Sequence, residues 1–525
     1  MKQIIIALLC LFSLGSCTKD FEETNQDPNQ ISDELLKQDF NLVGSPFSGM
    51  IFNLNGHQIE EDLCYDSWMG FMATPTDFVG NVNNTTYYMR WNVYWDRVYG
   101  SVMSPAKQVI QLAEDNNLPL FATWAKLVRI LATSKLTAIH GPIIYTNYGS
   151  TASSILYDKE SDLYALYFKQ LDSIQADFDA NQAYTGFTKF DPTPYKGSIP
   201  QWMKVVNSLR LRLAMRLSKV APDMAKTEGE KAMADPAGLI ETNADNFNNS
   251  LIGNIMPVAQ ICYQWDDTRM GAVIESFMAG YKDGRISKYF APVSDMSLVA
   301  DHPAVPYKGI RNGAFIKAKA DHVPFSKVSN DFNSTTTRRD FTAAEVAFLK
   351  AEAALRGWAG AGDAKENYEN GVKLSFADWG GSGVDAYLAD NTSKPLDYTD
   401  PIDARNNFKA ASTMTVAWNE SDNNEVKLEK ILTQKYLAAF TQTLEAWVDF
   451  RRTGYPKIPH VAKNDSGPDW GIIPATEWIK RMPFTNGERT GNSAAVEDAV
   501  TKMGPGAKDD IATRLWWDTG NPSNF

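Results

Sequence analysis

The sequence predicts an all-α fold in which helix pairs form a scaffold and long irregular loops form a ligand-binding face. Two observations predict it. Apolar residues recur at steps of three and four over several segments bounded by capping residues. Between those segments lie long polar stretches rich in Gly and Asn, at 44–92, 180–199, 236–341, 380–428 and 456–492. Loops of that length in a compact protein generally carry function.

The helices follow in order. Ser198-Ile199-Pro200 opens one, with proline suited to a first turn. Trp202, Val206, Leu209, Leu213 and Leu217 then make one apolar face, and Pro222 closes it. Thr342 with Glu345 forms a capping box ahead of Val346, Leu349, Ala353 and Leu355. Asp363 with Glu366 repeats the device, so 342–379 reads as a helical hairpin with Gly360 and Gly362 in its turn. The strongest periodicity spans 429–452, where Leu432, Tyr436, Phe440, Leu444 and Trp447 share a stripe. Arg451 and Arg452 suit its negative C-terminal end, and Gly454 with Pro456 stop it. Looser patterns place helices at 94–115, 122–139 and 161–179. Pairs of this size with small residues at contact points (Ala125, Ser134, Ala138; Ala351, Ala353, Ala354) are tetratricopeptide-like, without an exact 34-residue period.

The amino terminus carries a separate message. Lys2 precedes an apolar run from Ile4 to Leu14, about eleven residues against the roughly 20 needed to span a bilayer. Leu14-Gly15-Ser16-Cys17 then has the form of a lipobox, so residues 1–16 read as a lipoprotein signal peptide and Cys17 as the lipidated residue. Residues 17–30 are polar and acidic, the composition of a tether. Residues 31–525 make the helical body, with loop-rich insertions at about 44–92, 236–341 and 380–428.

The formal net charge is −12, and the one charged residue of 1–16 is Lys2. An acidic chain repels phosphate backbones, which argues against a nucleic-acid partner. Cys64 and Cys262 remain beyond the anchor; they form one bridge or serve as small buried hydrophobes.

Motifs for catalysis are lacking. The five histidines, at 57, 140, 302, 322 and 460, are too far apart for a local zinc signature. No phosphate-cradling loop, dinucleotide fingerprint or nucleophile elbow occurs. Glu60-Glu61 and Asp266-Asp267 are carboxylate pairs of the kind a glycosidase needs about 5 to 9 Å apart across a bond, though acidic pairs in loops are usually solvated. Asp397, Asp400 and Asp403 are possible calcium ligands without EF-hand spacing. The expectation is neither a catalytic residue, a cofactor nor a metal.

Loop aromatics point elsewhere. Tyr65, Trp68 and Phe71 lie in DLCYDSWMGFMATPTDF, Tyr87, Tyr88 and Trp91 in NNTTYYMRWN, and Tyr263 and Trp265 in CYQWDDTR. Sugar rings stack a C–H face on such rings while their hydroxyls seek Asp, Asn and Arg; Asp66, Asp77, Asn92, Asp266 and Arg269 stand alongside. Trp124, Trp202 and Trp447 have helical spacing and go to the core. The expected ligand-binding set is Trp68, Tyr88, Trp91, Asn92, Tyr263, Trp265, Asp266 and Arg269.

CTKDFEETNQDPN, WMKVVNSLRLRLAMRLS, FTAAEVAFLKAEAALRGWAG, EAWVDFRRTGYP and RMPFTNGERTGNSAAVEDAV, in this order, resemble the SusD/RagB family of nutrient-binding outer-membrane lipoproteins, SusD-like branch. HGPIIYTNYG departs from the Gly-Asp-Ile-Pro-Tyr-like turn usual there. The resemblance implies a tetratricopeptide-like fold, export to the cell surface on a lipid anchor as in Bacteroidetes, and a SusC-like TonB-dependent transporter beneath, on which the protein acts as a lid. It implies capture of an oligosaccharide, or of a peptide as in RagB-like relatives, without bond cleavage. A surface glycoside hydrolase and a scaffold for other surface proteins are the competing readings.

Overall fold

The long helices begin where the sequence supplies a first-turn proline or a side-chain cap. The computed structural model describes residues 38–78, 82–300 and 304–525. The lipobox with Cys17, the tether and His302 lie outside the described residues. Proline sits in the first turn of α1 (Ser104–Asp115), α2 (Pro119–His140), α4 (Ile199–Arg216) and α5 (Pro222–Ala234). Between α2 and α4 runs α3 (Glu160–Asp179). Thr342, Asp363 and Asn423 accept backbone N–H bonds at the starts of α6 (Ala343–Leu355), α7 (Ala364–Trp379) and α8 (Asn424–Ala438). The last of the set is α9 (Thr443–Thr453), which ends at Gly454.

Neighbours in sequence pack on one another: α1 on α2, α2 on α3, α3 on α4 and α4 on α5, then α6 on α7 and both on α8. This is the tetratricopeptide-like pairing. Close approach needs small residues, and at Gly371 of α7 a Cβ would stand 2.8 Å from the Phe348 ring of α6. Trp124, Trp202 and Trp447 are buried. Trp124 is stacked between Phe47 at 3.8 Å and Phe187 at 4.5 Å, with Trp202 edge-on at 5.5 Å.

The stripe at 429–452 is two helices rather than one. Thr441, at φ +74°, turns the chain between α8 and α9. Phe440 leaves the helical path to join Tyr289, Phe290 and Trp379, with ring centres 4.7, 5.1 and 6.0 Å away. Aromatic packing offsets the strain of a β-branched residue in left-handed backbone. The expected loops also hold helices at Pro46–Phe52 and Ala272–Gly280. The second is apolar nearly all round, so its sequence carries no helical stripe.

Among the described residues, two small antiparallel sheets complete the fold. β1 (Met72–Ala73) pairs with β3 (Arg269–Met270), and β2 (Phe247–Ser250) with β4 (Thr337–Phe341).

Buried ion pairs bind the two halves of the helical array. Arg212 of α4 holds Glu345 of α6 through two bonds of 2.8 and 2.6 Å. Arg216 holds Glu445 of α9 through two of 3.0 Å. Arg452 of α9 reaches Glu352 of α6 at 2.6 and 2.7 Å, and Lys435 of α8 meets Asp449 of α9 at 2.8 Å. Arg452 is therefore a cross-brace as well as a helix-end cation, and Arg451 stacks 3.4 Å over Trp447. Burial alone would raise Glu445 and Glu352; the guanidiniums override it and bring both carboxyls down to about 2.

Removing one partner strands the other in low dielectric, so Glu445→Gln is expected to cost about 3–5 kcal/mol of unfolding free energy in urea titrations at neutral pH. The two carboxyls contribute stability that is fully present above the ordinary glutamate value of 4.5 and is lost as pH falls through about 2. Melting temperatures should therefore fall on acidification below about pH 4.5, less steeply in Glu445→Gln than in wild type; an equally steep acid limb in the variant contradicts the assignment.

Candidate functional site

Two strands of two residues bring together segments two hundred positions apart. β1 and β3 pair Met72 with Met270 and Ala73 with Arg269. At the seam a Cβ on Gly271 would lie 2.1 Å from the Gly70 carbonyl oxygen, so glycine alone allows the approach. The pairing sets the loop containing Tyr263 and Trp265 beside the loop leading to Trp91.

Trp265 closes a helical turn, its N–H donating to Gln260 O at 3.2 Å, and Asp266 then turns the chain at φ +58°. Trp265 is 42% exposed. The His57 ring lies 5.1 Å from it and is fixed by a 2.9 Å hydrogen bond from Nε2 to Gln260 Oε1. Asp266 pairs with Arg269 at 2.7 Å and Lys327 at 2.9 Å. Partial burial pushes the Asp266 carboxyl up, but these two cations hold it below the usual carboxylate value. Asp267 accepts from Thr76 at 2.7 Å and pairs with Lys319, which also donates to Trp265 O at 3.1 Å. The Lys327 ammonium stands 5.2 Å from the Tyr263 ring centre. The outcome is an exposed indole edged by anions whose cationic partners are already in place.

Thr76 is also the bridge to the second loop. Phe78 meets Trp91 edge-on at 5.5 Å, and Arg90 lies 5.0 Å from the Trp91 ring centre. Buried Asn84 holds this segment: its Nδ2 donates to Trp91 O at 2.6 Å, and its Oδ1 accepts from Arg90 N and Trp91 N at 2.8 and 3.0 Å. Tyr88, on the same segment, is 36% exposed. A groove of about 240 Å³ opens at Thr76 and is lined also by Thr74, Asp77, Thr85, Phe315 and Arg405.

Of the residues expected to touch ligand, Tyr263, Trp265 and Asp266 stand together, with Tyr88 and Trp91 on the neighbouring loop. Three others do structural work. Trp68 is 2% exposed, packs 4.9 Å from Trp447 and donates its indole N–H to Asn84 O. Arg269 is fully buried, its guanidinium donating to Val323 O, Thr268 O and Asp266. Asn92 donates its amide to Pro483 O and Phe484 O, bracing the loop on the C-terminal segment. These placements give Trp68, Arg269 and Asn92 structural contacts that the sequence does not signal, since it has no means of telling a buried loop tryptophan from an exposed one. Sequence reasoning missed His57, Phe78, Asn84, Lys327 and Phe315. Phe78 and Asn84 lay within the quoted stretches; the others carried no local signal.

The remaining candidates are committed to protein partners. Glu60 pairs with Arg97 and Glu61 with Arg338. Asp397 and Asp403 pair with Lys409 and Arg405, while Asp400 caps a turn through Ile402 N and Asp403 N. Cys64 and Cys262 are free, buried thiols. Among the described residues no group of His, Cys, Asp and Glu side chains is arranged to hold a metal ion, and no helix is long and apolar enough to cross a membrane.

A SusD-like family profile, described as Susd and RagB outer membrane lipoprotein, matches residues 23–518. The chain belongs to the SusD/RagB family. Its fold is that of solved SusD homologues. A chitin-binding SusD homologue from Flavobacterium johnsoniae is 38% identical, with a TM-score of 0.86 over 92% of this chain and 100% of that one. A SusD homologue from Bacteroides uniformis is 34% identical, with a TM-score of 0.83 over 91% and 99%. A SusD-like protein from Bacteroides thetaiotaomicron is 30% identical, with a TM-score of 0.81 over 90% and 98%. No curated protein matches the chain. The Arg212–Glu345, Arg216–Glu445 and Arg452–Glu352 pairs fall within the segments that carry the family resemblance, whereas Trp265 and its neighbours fall in the loops between them.

Asn84→Ala removes three bonds from the Arg90–Trp91 segment. Amide exchange at Arg90 and Trp91 should then accelerate by about tenfold or more, since each net hydrogen bond contributes about 1 kcal/mol. Unchanged protection there contradicts the role given to Asn84.

Proposed function

We propose that this SusD-like chain is a non-catalytic, surface-facing lipoprotein that captures oligosaccharide on the loop face around Trp265. It then passes the ligand, as a lid, into a SusC-like TonB-dependent barrel. In this reading the signal covers 1–16, Cys17 carries the lipid, residues 17–30 form the tether and 31–525 the binding body. Tyr263, Trp265 and Asp266 form the platform, Tyr88 and Trp91 extend it, and Trp68, Asn92 and Arg269 hold the loops beneath.

The observation that carries the reading is the exposed Trp265 indole with Asp266 and Asp267 at its edge, each already paired with cations. An indole face accepts the C–H face of a pyranose. Ion-paired carboxylates keep lone pairs for hydroxyl donors while offering no net charge to a peptide terminus, which favours sugar over peptide. The chitin-binding homologue at 38% identity supports the same ligand class. Nothing in this scheme breaks a bond: the carboxylates of both candidate glycosidase pairs face cations rather than each other.

Calorimetry with triacetylchitotriose and other neutral oligosaccharides tests the assignment. Trp265→Ala is expected to weaken the best ligand by about tenfold or more, the loss of one stacked ring. Trp68→Phe should leave affinity within about twofold, because it acts on the core. Unchanged affinity in Trp265→Ala rejects the platform. Peptide binding that depends on Trp265 moves the protein to the RagB-like reading, and time-dependent glycan cleavage moves it to the hydrolases.

A further inference from the structure

The segment in which this chain departs from the family's usual turn, HGPIIYTNYG, forms a wall of a cavity of about 890 Å³. That cavity shares no lining residue with the Trp265 platform. Its floor is the helical turn from Trp95 to Tyr99 and the first half of α1; its opposite wall is the loop from Ile144 to Ile155 with Glu488 at one end.

The walls are tied down. Tyr99 Oη donates to Ile144 O at 2.9 Å and accepts from Ile144 N at 2.8 Å. Asn492 exchanges two bonds with the Ile155 backbone, at 3.2 and 3.0 Å, and Asn147 Nδ2 donates to Leu156 O at 3.0 Å. A cavity held open in this way spares a ligand the cost of ordering its loops. Within it Trp95, Tyr99 and Tyr148 form a continuous aromatic run, with centres 4.9 and 5.5 Å apart. Tyr148 is half-buried and borders the open space. The Asp96 and Gln108 side chains have no hydrogen-bond or ion-pair partner among the described residues and line the cavity beside Glu488. Burial and the nearby Glu488 charge raise the Asp96 carboxyl, which places the two carboxyls within electrostatic reach of each other.

These features narrow the ligand. Two carboxylates oppose an anion, and the Lys107 ammonium at the rim opposes a cation. A purely apolar ligand would leave Asp96 and Gln108 without partners, and Glu488 with only the Tyr157 and Asn492 bonds it already accepts. A neutral molecule with an apolar ring face and many hydroxyl donors satisfies all of them, and the volume lies in the range, about 300–1,000 Å³, that buries most of a small ligand. We infer that this cavity is a second binding site, separate from the loop face, for the end of a neutral oligosaccharide, with one sugar ring on Tyr148 and its hydroxyls donating to Asp96 and Glu488. A polymer long enough to meet both sites gains avidity without further contacts.

The test uses the full chain carrying Trp265→Ala, which disables the loop platform, titrated calorimetrically with cellotriose, maltotriose and triacetylchitotriose. At least one trisaccharide is expected to bind at one molecule per chain. Adding Tyr148→Ala or Asp96→Asn should weaken that binding by about tenfold, while Tyr148→Phe, which keeps the ring, should preserve it. Asp96→Asn alters an exposed side chain, so it reads the site even where Tyr148→Ala disturbs the loop. The inference is overturned if no trisaccharide binds the Trp265→Ala protein, if the residual binding is indifferent to Tyr148 and Asp96, or if a lysine-terminated tripeptide binds in their place. In the otherwise wild-type protein, affinity that falls with Tyr148→Ala but not with Trp265→Ala sinks the loop platform and leaves this site standing.

Discussion

Charges buried between four helices constrain everything else in this molecule. Arg212 and Arg216 leave α4 for Glu345 on α6 and Glu445 on α9, while Arg452 and Lys435 close the circuit through Glu352 and Asp449. Such pairs add little net stability over apolar packing, because desolvation consumes the Coulombic gain. Their force lies in exclusion. Sliding any one helix by a turn leaves a buried ion without its partner, so a single mutual arrangement of the four survives.

That arrangement reaches the loop face through α8 and α9. Tyr436 of α8 donates to Met69 O at 2.9 Å, and Thr443 of α9 bonds Asp66. Trp447 of α9 packs on Trp68 and Tyr65. The segment from Asp66 to Met72 is thereby held on the scaffold, and β1 at its end fixes β3, which fixes the turn carrying Trp265. Trp68, buried beneath, and Trp265, exposed above, belong to one chain of support. The first stabilises the loop on which the second's partners stand. Beneath the platform, burial pushes the Asp66 carboxyl up to about 7, with the Glu61 charge adding to the rise.

Much of the scaffold was legible because its signals are local. Thr342 and Asp363 mark helix starts through bonds within a turn, Pro200 does so through its fixed φ and missing N–H, and Trp124, Trp202 and Trp447 fall on stripes that bury. The break at Thr441 was not legible, since it answers to Phe440 packing on residues from segments distant in sequence. The helix at 272–280 escaped because an all-round apolar sequence has no stripe. The ion pairs escaped for a related reason: an arginine such as Arg212 in a helix reads as a solvated face until its partner, more than a hundred residues on, is in place. The site was half legible. Its aromatics could be named, but their sorting into platform and core depended on a two-residue strand pairing that composition does not encode. His57, which lies against Trp265 from about two hundred residues away, acts over a distance that sequence patterns do not span, and Asn84, seven residues from Trp91, carries no pattern that announces its bonds.

The central claim is that a helical body locked by buried charges presents a preformed loop face on which a sugar ring stacks. A crystal structure of the protein with the oligosaccharide of highest affinity tests it most directly. The account predicts a pyranose ring against the Trp265 indole, hydroxyls toward Asp266 and Asp267, and α4, α6, α8 and α9 superposing within about 1 Å on their ligand-free positions. A bound ligand that leaves Trp265 bare, or whose binding requires those four helices to move apart, contradicts it.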